Sequence, residues 1–166
     1  MSRARRLEMK ASRLAAILVA LVALLGLESP ASHAEPSPLA IQDRRQSPLS
    51  ADAENEYNRG IRARLAKDWA GAVEAFQAAI TLRPAFPEAW NELGYAFRNQ
   101  GRYPESLNAY DEALRLKPDF PEALEYLGEA YAKIGRLDDA RRVLQRLRQL
   151  DTKKADELAE EIEKAR

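Results

Sequence analysis

One stretch of this chain returns at a fixed spacing. Pro87 to Phe120, reading PEAWNELGYAFRNQGRYPESLNAYDEALRLKPDF, is 34 residues long. Shifted forward by its own length, it meets Pro121, Glu122 and Ala123 where Pro87, Glu88 and Ala89 stood. Leu127-Gly128 then repeats Leu93-Gly94, Gly135-Arg136 repeats Gly101-Arg102, and Leu150 repeats Leu116. Shifted backward, Gly60 matches Gly94, Phe76 matches Tyr110, Ala79 matches Ala113, Leu82 matches Leu116 and Pro84 matches Pro118. A copy of this size is one supersecondary unit that cannot bury its own apolar face. Copies must therefore stack, and about three are needed before a stable core forms. This chain holds three, near that minimum.

Each copy reads as two antiparallel helices. The pattern predicts them near 53–66 and 69–82, 87–100 and 103–116, 121–134 and 137–150. Pro87 and Pro121 start helices, where a missing N–H costs nothing, and Pro104 sits in a first turn for the same reason. Gly101 and Gly135 end the first helix of their pairs, where a left-handed residue is often needed. Lys67 and Asp68 fill that turn in the first copy. Pro84 and Pro118 stop the second helices. Gly94 and Gly128 carry no side chain and let the paired helix approach closely. Tyr110 and Phe76 fill the space between adjacent pairs.

These positions resemble the tetratricopeptide repeat family. That family places a Trp-x-x-Leu-Gly-x-x-Tyr run in a first helix, then an Ala, an aromatic and another Ala in a second, with Pro just after. The middle copy carries Trp90, Leu93, Gly94, Phe97, Ser106, Tyr110, Ala113 and Pro118 at those places. The third carries Leu124, Leu127, Gly128, Tyr131, Ala140 and Leu144, departing at Leu147 and Thr152. The first matches in its second helix (Ala72, Phe76, Ala79, Pro84), while Glu56, Arg59 and Ala63 depart in its first helix. The resemblance covers roughly residues 53 to 154. It implies an all-α, right-handed solenoid of three helix-turn-helix repeats: 53–86, 87–120 and 121–154. Trp90, Phe97, Tyr110, Phe76 and Tyr131 fall on packing positions, which makes them core and not a stacking platform for bases.

The ends of such a stack must be soluble. The polar first helix of the first repeat suits an exposed end. At the other end, residues 155–166 place Ala155, Leu158, Ala159 and Ile162 on one stripe, with Asp156, Glu157, Glu160, Glu161 and Glu163 elsewhere. That is the amphipathic pattern of a capping helix. Such a cap disfavours end-to-end stacking, so a monomer is expected.

Residues 1–34 read as a secretory signal peptide. Arg3, Arg5, Arg6, Lys10 and Arg13 precede the uncharged apolar run Leu14 to Leu27. Ser32 and Ala34 are the small residues a signal peptidase wants before a cut between Ala34 and Glu35. The run is short of the about 20 residues of a membrane span, although an uncleaved membrane anchor is the alternative. The chain would thus be exported, to a bacterial periplasm or beyond. Residues 35–52, with Pro36, Pro38 and Pro48, read as a flexible linker.

Composition removes several chemistries. The chain has no cysteine, and its single histidine, His33, lies in the segment expected to be cut off. The mature chain would lack the commonest general base, the thiolate nucleophile and the commonest transition-metal ligands. An enzyme would need a carboxylate or tyrosine site with no recognisable motif, and no cofactor or metal is expected. The first 34 residues hold five of 26 basic side chains and two of 26 acidic ones, leaving 21 against 24. That balance lacks the basic stripe of a nucleic-acid binder.

The family resemblance implies a concave face lined by the first helices. Its positions here are Tyr57, Ile61 and Arg64, then Asn91, Tyr95, Arg98 and Asn99, then Glu125, Glu129 and Lys133. Asn91, Tyr95 and Arg98 share one helix face. They offer a donor, an aromatic flank and a fixed cation to a peptide carboxylate or backbone. The set resembles the family's carboxylate clamp for peptide C-termini, without its Lys or Asn at the place of Tyr57. Arg141, Arg142, Arg146 and Arg148 form a basic cluster, expected to pair with the acidic last helix. The expected function is non-enzymatic: capture of a protein or peptide partner, as an assembly, secretion or scaffolding adaptor of the cell envelope.

Overall fold

The computed structural model describes residues 48–166. The candidate signal segment, its cut between Ala34 and Glu35, and most of the expected linker lie outside them. Among the described residues there are seven helices and no strand: α1 Pro48–Leu65, α2 Trp69–Leu82, α3 Pro87–Asn99, α4 Tyr103–Leu116, α5 Pro121–Lys133, α6 Leu137–Leu147 and α7 Thr152–Lys164. None of them is long and apolar enough to cross a membrane.

Local chemistry sets the boundaries. The spans of α2 and α4 are those the sequence predicts. Asp68 caps α2, its Oδ1 accepting from Gly71 N at 3.0 Å, and proline begins or succeeds several of the others. Three boundaries differ by three residues or more. Helix α1 begins at Pro48 instead of 53, because proline suits a first turn. Helix α6 ends at Leu147 and α7 begins at Thr152, not at 150 and 155. Asp151 is responsible, since its Oδ1 accepts from Lys154 N at 3.0 Å and caps α7 early. Gly101 and Gly135 take φ of 73° and 76°, as the turns require, and Lys67 takes 58° in their place in the first repeat.

The helices pack as consecutive pairs. Helix α2 packs on α1 and α3, α4 on α3 and α5, and α6 on α5 and α7. The first helices also touch one another, α3 against α1 and α5, and α5 against α7, and so form the inner face of the stack. Phe76 and Tyr110 are fully buried, pressed on Gly60 and Gly94. A Cβ on Gly94 would meet Tyr110 Cε1 at 2.7 Å, so only glycine fits under that ring. Ser106, also fully buried, donates to the Gly94 carbonyl at 2.8 Å and ties α4 to α3. The third glycine breaks the rule. Gly128 is covered by Leu158 of α7 and not by a residue of α6. Phe97 is buried as expected, but Trp90 and Tyr131 are only half-buried, a correction to their reading as core. Trp90 lies toward the outer side, in a gap between α2 and α4, and the Arg136 guanidinium lies over the Tyr131 ring.

A charged corner recurs with the repeat. Arg83 pairs with Glu54 at 2.8 Å and lies over the Phe86 ring. One repeat on, Lys117 pairs with Glu88 at 3.5 Å and lies over Phe120. The next equivalent position is Asp151, which caps α7 instead, and the corner ends with the array.

Candidate functional site

The inner face carries most of the predicted site residues, arranged otherwise than as free groups. The seam between α1 and α3 is crossed by Arg64 and Glu92, whose Nε and Oε2 are 3.2 Å apart. The seam between α3 and α5 is crossed by a hydrogen-bonded ion pair from Arg98 to Glu129. Between α5 and α7 Lys154 Nζ donates to Glu125 Oε2 at 2.7 Å. Each pair joins two consecutive first helices, so the face has three charged rungs. Side-chain exposures of 15% for Arg98 and 14% for Glu92 put these pairs well out of bulk water.

Aromatic rings fill the space between rungs. Tyr95 meets Tyr126 at 5.2 Å and Trp69 at 6.0 Å between ring centroids. The Arg98 guanidinium lies 5.1 Å from the Tyr95 ring and 5.3 Å from Tyr126, and Arg64 lies 5.6 Å from Tyr95. These are cation–π distances, and the rings and ion pairs hold one another in place. Burial pushes the Tyr57 hydroxyl up to about 12, with the Glu92 and Glu88 carboxylates adding to it. Burial also raises the Glu92 carboxyl above its ordinary value, against the pull of Arg64. The same cause raises Glu125, opposed by Lys154.

The predicted residues therefore divide. Tyr95, Arg98 and Glu129 come together at the centre of the face, with Arg64 beside them. Asn99 and Lys133 are exposed at its edge, and Asn99 Nδ2 donates to the Tyr95 carbonyl at 2.8 Å. Asn91 and Glu125 are buried, at 3% and 7% exposure. Tyr57 leans into the core against Phe76 and Phe86. Arg98 was expected as a cation open to a carboxylate, but Glu129 already holds it. Sequence reading missed Glu92, Tyr126, Trp69 and Lys154. A signal for the charged ones exists in hindsight: each rung joins residues slightly less than one repeat apart.

The basic cluster also differs from expectation. Arg141 pairs with Asp138 and Arg142 with Asp139, both on α6 itself, and Arg146 donates to the Pro118 carbonyl. No pair from α6 to the acidic α7 occurs among the described residues, because α7 turns its apolar stripe inward and its carboxylates to solvent. On the outer side, a depression of about 640 Å³ opens between α2 and α4 over Trp90, Leu93 and Phe97. At the equivalent place one repeat later, Arg146 reaches across to Pro118, where the first depression has Glu112 instead.

The family described as TPR repeat matches residues 64–101 and 94–135, and that described as Tetratricopeptide repeat matches residues 122–153. Together these matches span more than half of the chain. The chain belongs to the tetratricopeptide repeat family. Solved tetratricopeptide repeat structures superpose on it. The TPR2B domain of yeast Sti1, in a complex with pHsp70, is 22% identical, with a TM-score of 0.66 over 70% of this chain and 97% of that one. The first TPR of Spaghetti (RPAP3), bound to an HSP90 peptide, is 16% identical, with a TM-score of 0.65 over 70% and 91%. The Yersinia enterocolitica type III secretion chaperone SycD, in complex with a peptide of the translocator YopD, is 17% identical, with a TM-score of 0.63 over 68% and 90%. At these identities the likeness is one of fold. A comparison with curated proteins gives no match.

Proposed function

We propose that this tetratricopeptide repeat chain is a non-catalytic module that holds a protein or peptide segment against its inner face. The observation that carries the reading is the continuous surface of Tyr95, Tyr126 and Trp69 braced by the rungs Arg64–Glu92 and Arg98–Glu129. A surface already ordered in the free protein loses little conformational entropy on binding, which favours affinity. Repeat domains of the same fold that are described with bound peptides, from Sti1 to SycD, support the reading. Photo-crosslinking tests it. A photoreactive residue at Tyr95 should form adducts with the partner in cells, and the same residue at Arg115, on the outer side, should not. Adducts from Arg115 alone would move the site off the inner face.

The place of action belongs to the same proposal. The basic segment and apolar run of residues 1–34 support export and an envelope role in assembly, secretion or scaffolding. N-terminal sequencing of the exported protein should begin at Glu35, and a start at Met1 or Ser2 would point to an uncleaved anchor.

A further inference from the structure

The outer depression over Trp90, Leu93 and Phe97 is open, whereas the chain itself fills the equivalent place one repeat later. There Arg146 crosses from α6 to the Pro118 carbonyl, and the position of Trp90 is taken by Leu124, which is fully buried. In the first depression Glu112 stands at the position of Arg146, and the Pro84 carbonyl already accepts from Trp90 Nε1 at 3.0 Å. A place that the chain elsewhere closes with a cation on an aliphatic stem is here left apolar, with the Glu105 and Glu112 carboxylates on its α4 wall. The two lie two turns apart, about 10 Å along the helix. Each is partly exposed and held by an arginine three residues away on its own helix, Arg102 at 2.9 Å and Arg115 at 2.8 Å. Exposed pairs of that kind are weak, and a carboxylate has room for a second donor.

The complement is on the same chain. Leu65, at the end of α1, is 71% exposed, the most of any large apolar residue among those described. The later repeats have Asn99 and Lys133 at its place, so the repeat pattern does not account for a leucine there. Arg62, one turn before it, and Lys67, two residues after it, are exposed and form no ion pair among the described residues. An apolar tip between two free cations matches an apolar floor beside two exposed carboxylates. We propose that the chain associates with a second copy of itself, the Leu65 corner of one copy entering the outer depression of the next. Leu65 then lies over Trp90, with Arg62 and Lys67 toward Glu105 and Glu112. The joined surfaces are unlike and every copy carries one of each, so association extends from copy to copy and does not close as a two-fold pair. Helix α7 covers one end of the stack but neither of these surfaces. One leucine and two rim charges make a contact well below the roughly 1,200 Å² of a lasting complex. Copies therefore hold one another only where they are already concentrated. The proposal is independent of the inner-face reading.

The chain has no cysteine, so engineered ones report the contact directly. Ala66 and Asn108 are both exposed, the first beside Leu65 and the second on the wall of the depression. Full chains carrying Ala66→Cys and Asn108→Cys are mixed at high concentration and oxidised. The mixed disulfide should exceed the sum of the two like disulfides, which random collision would at most equal. Leu65→Ser added to the Ala66→Cys chain should cut the mixed product about tenfold. Glu105→Lys with Glu112→Lys on the Asn108→Cys chain should cut it as well, and Arg62→Glu with Lys67→Glu on the other chain should restore it. All five positions are at least partly exposed, so circular dichroism should not change. A mixed product no greater than the sum of the like ones overturns the proposal, as does a yield indifferent to Leu65→Ser. Charge reversal without loss, or loss without rescue, overturns the pairing of charges and with it the docking.

Discussion

Leu158 of the last helix lies directly on Gly128 of α5, in the place that Phe76 and Tyr110 hold over Gly60 and Gly94 in the preceding repeats. The helix that closes the array therefore does so by supplying the missing large side chain of the third repeat. Leu158 is fully buried, and Ala155 and Ile162 are buried with it. Leu158→Ala should cost about 2–5 kcal/mol, and Leu158→Asp more. Hydrogen exchange should show the lost protection in α5 to α7 first and in α1 to α4 last, because neighbours in a repeat array share stability locally. Uniform loss across all helices would contradict this.

The glycines should rank by what covers them. Gly94→Ala pushes a Cβ into the ring of Tyr110, which is fully buried and cannot turn aside. Overpacking of that kind costs about 1–3 kcal/mol. Gly128→Ala meets the branched aliphatic end of Leu158, equally buried but smaller than the Tyr110 ring and carried by the last helix of the stack, and the gain in helix propensity, about 1 kcal/mol, is common to both sites. Thermal melts of the two variants should place Gly94→Ala clearly below Gly128→Ala.

Lys67 stands where the later repeats have glycine. Its φ of 58° places an exposed side chain in the left-handed region, so Lys67→Gly should stabilise the chain by up to about 1 kcal/mol. Gly135→Ala, at φ 76° with open space around it, should destabilise by a similar amount. Denaturation midpoints moving the same way in both variants would refute the argument.

The Arg98–Glu129 rung is open to a double-mutant cycle. Removing either partner alone strands a charge that is largely out of water, and removing both strands neither. Arg98→Ala with Glu129→Ala should show a coupling of about 1 kcal/mol or more. Raising the salt should reduce it only slightly, since buried pairs are screened less than exposed ones. A coupling near zero would make the rung a surface contact.

The pH dependence has a definite sign at Glu92. Burial raises its folded-state pKa above the ordinary 4.5, with Arg64 opposing. The folded chain then binds the proton more readily than the unfolded one. The Glu92 contribution to stability is therefore largest below the ordinary value and is lost as pH rises through the raised one. Tyr57 and Tyr126 also face this carboxylate, but they ionise far above that window. Melting temperature followed upward from about pH 4 should fall less in Glu92→Gln than in wild type. A steeper fall in the variant would mean that Arg64 outweighs burial.

Much of the fold was legible because its punctuation is local. Asp68, Pro84, Pro104 and Pro118 bound α2 and α4, and Gly101 and Gly135 mark the turns after α3 and α5, all within a few residues of the boundary they set. The early start of α7 was also written locally, in Asp151, but the repeat period carried the reading past it. The inner face was harder. The positions of Tyr95 and Arg98 come from helix geometry, whereas the capture of Arg98 by Glu129 depends on how far two helices of different repeats approach. The arginines of α6 misled for the same reason: a nearby acidic helix is a partner only if it turns its carboxylates that way, and α7 turns them to solvent.

The rungs have a kinetic consequence. A groove lined by unpaired cations projects a field and gathers acidic chains from a distance, at rates that salt then lowers. Here each cation on the inner face that crosses a seam has its counter-charge within the same rung, and the field largely cancels a few ångströms away. Encounter with a partner would proceed at the unsteered rate of about 10⁵–10⁶ M⁻¹s⁻¹. Right and wrong partners would arrive equally often and be told apart by how long they stay.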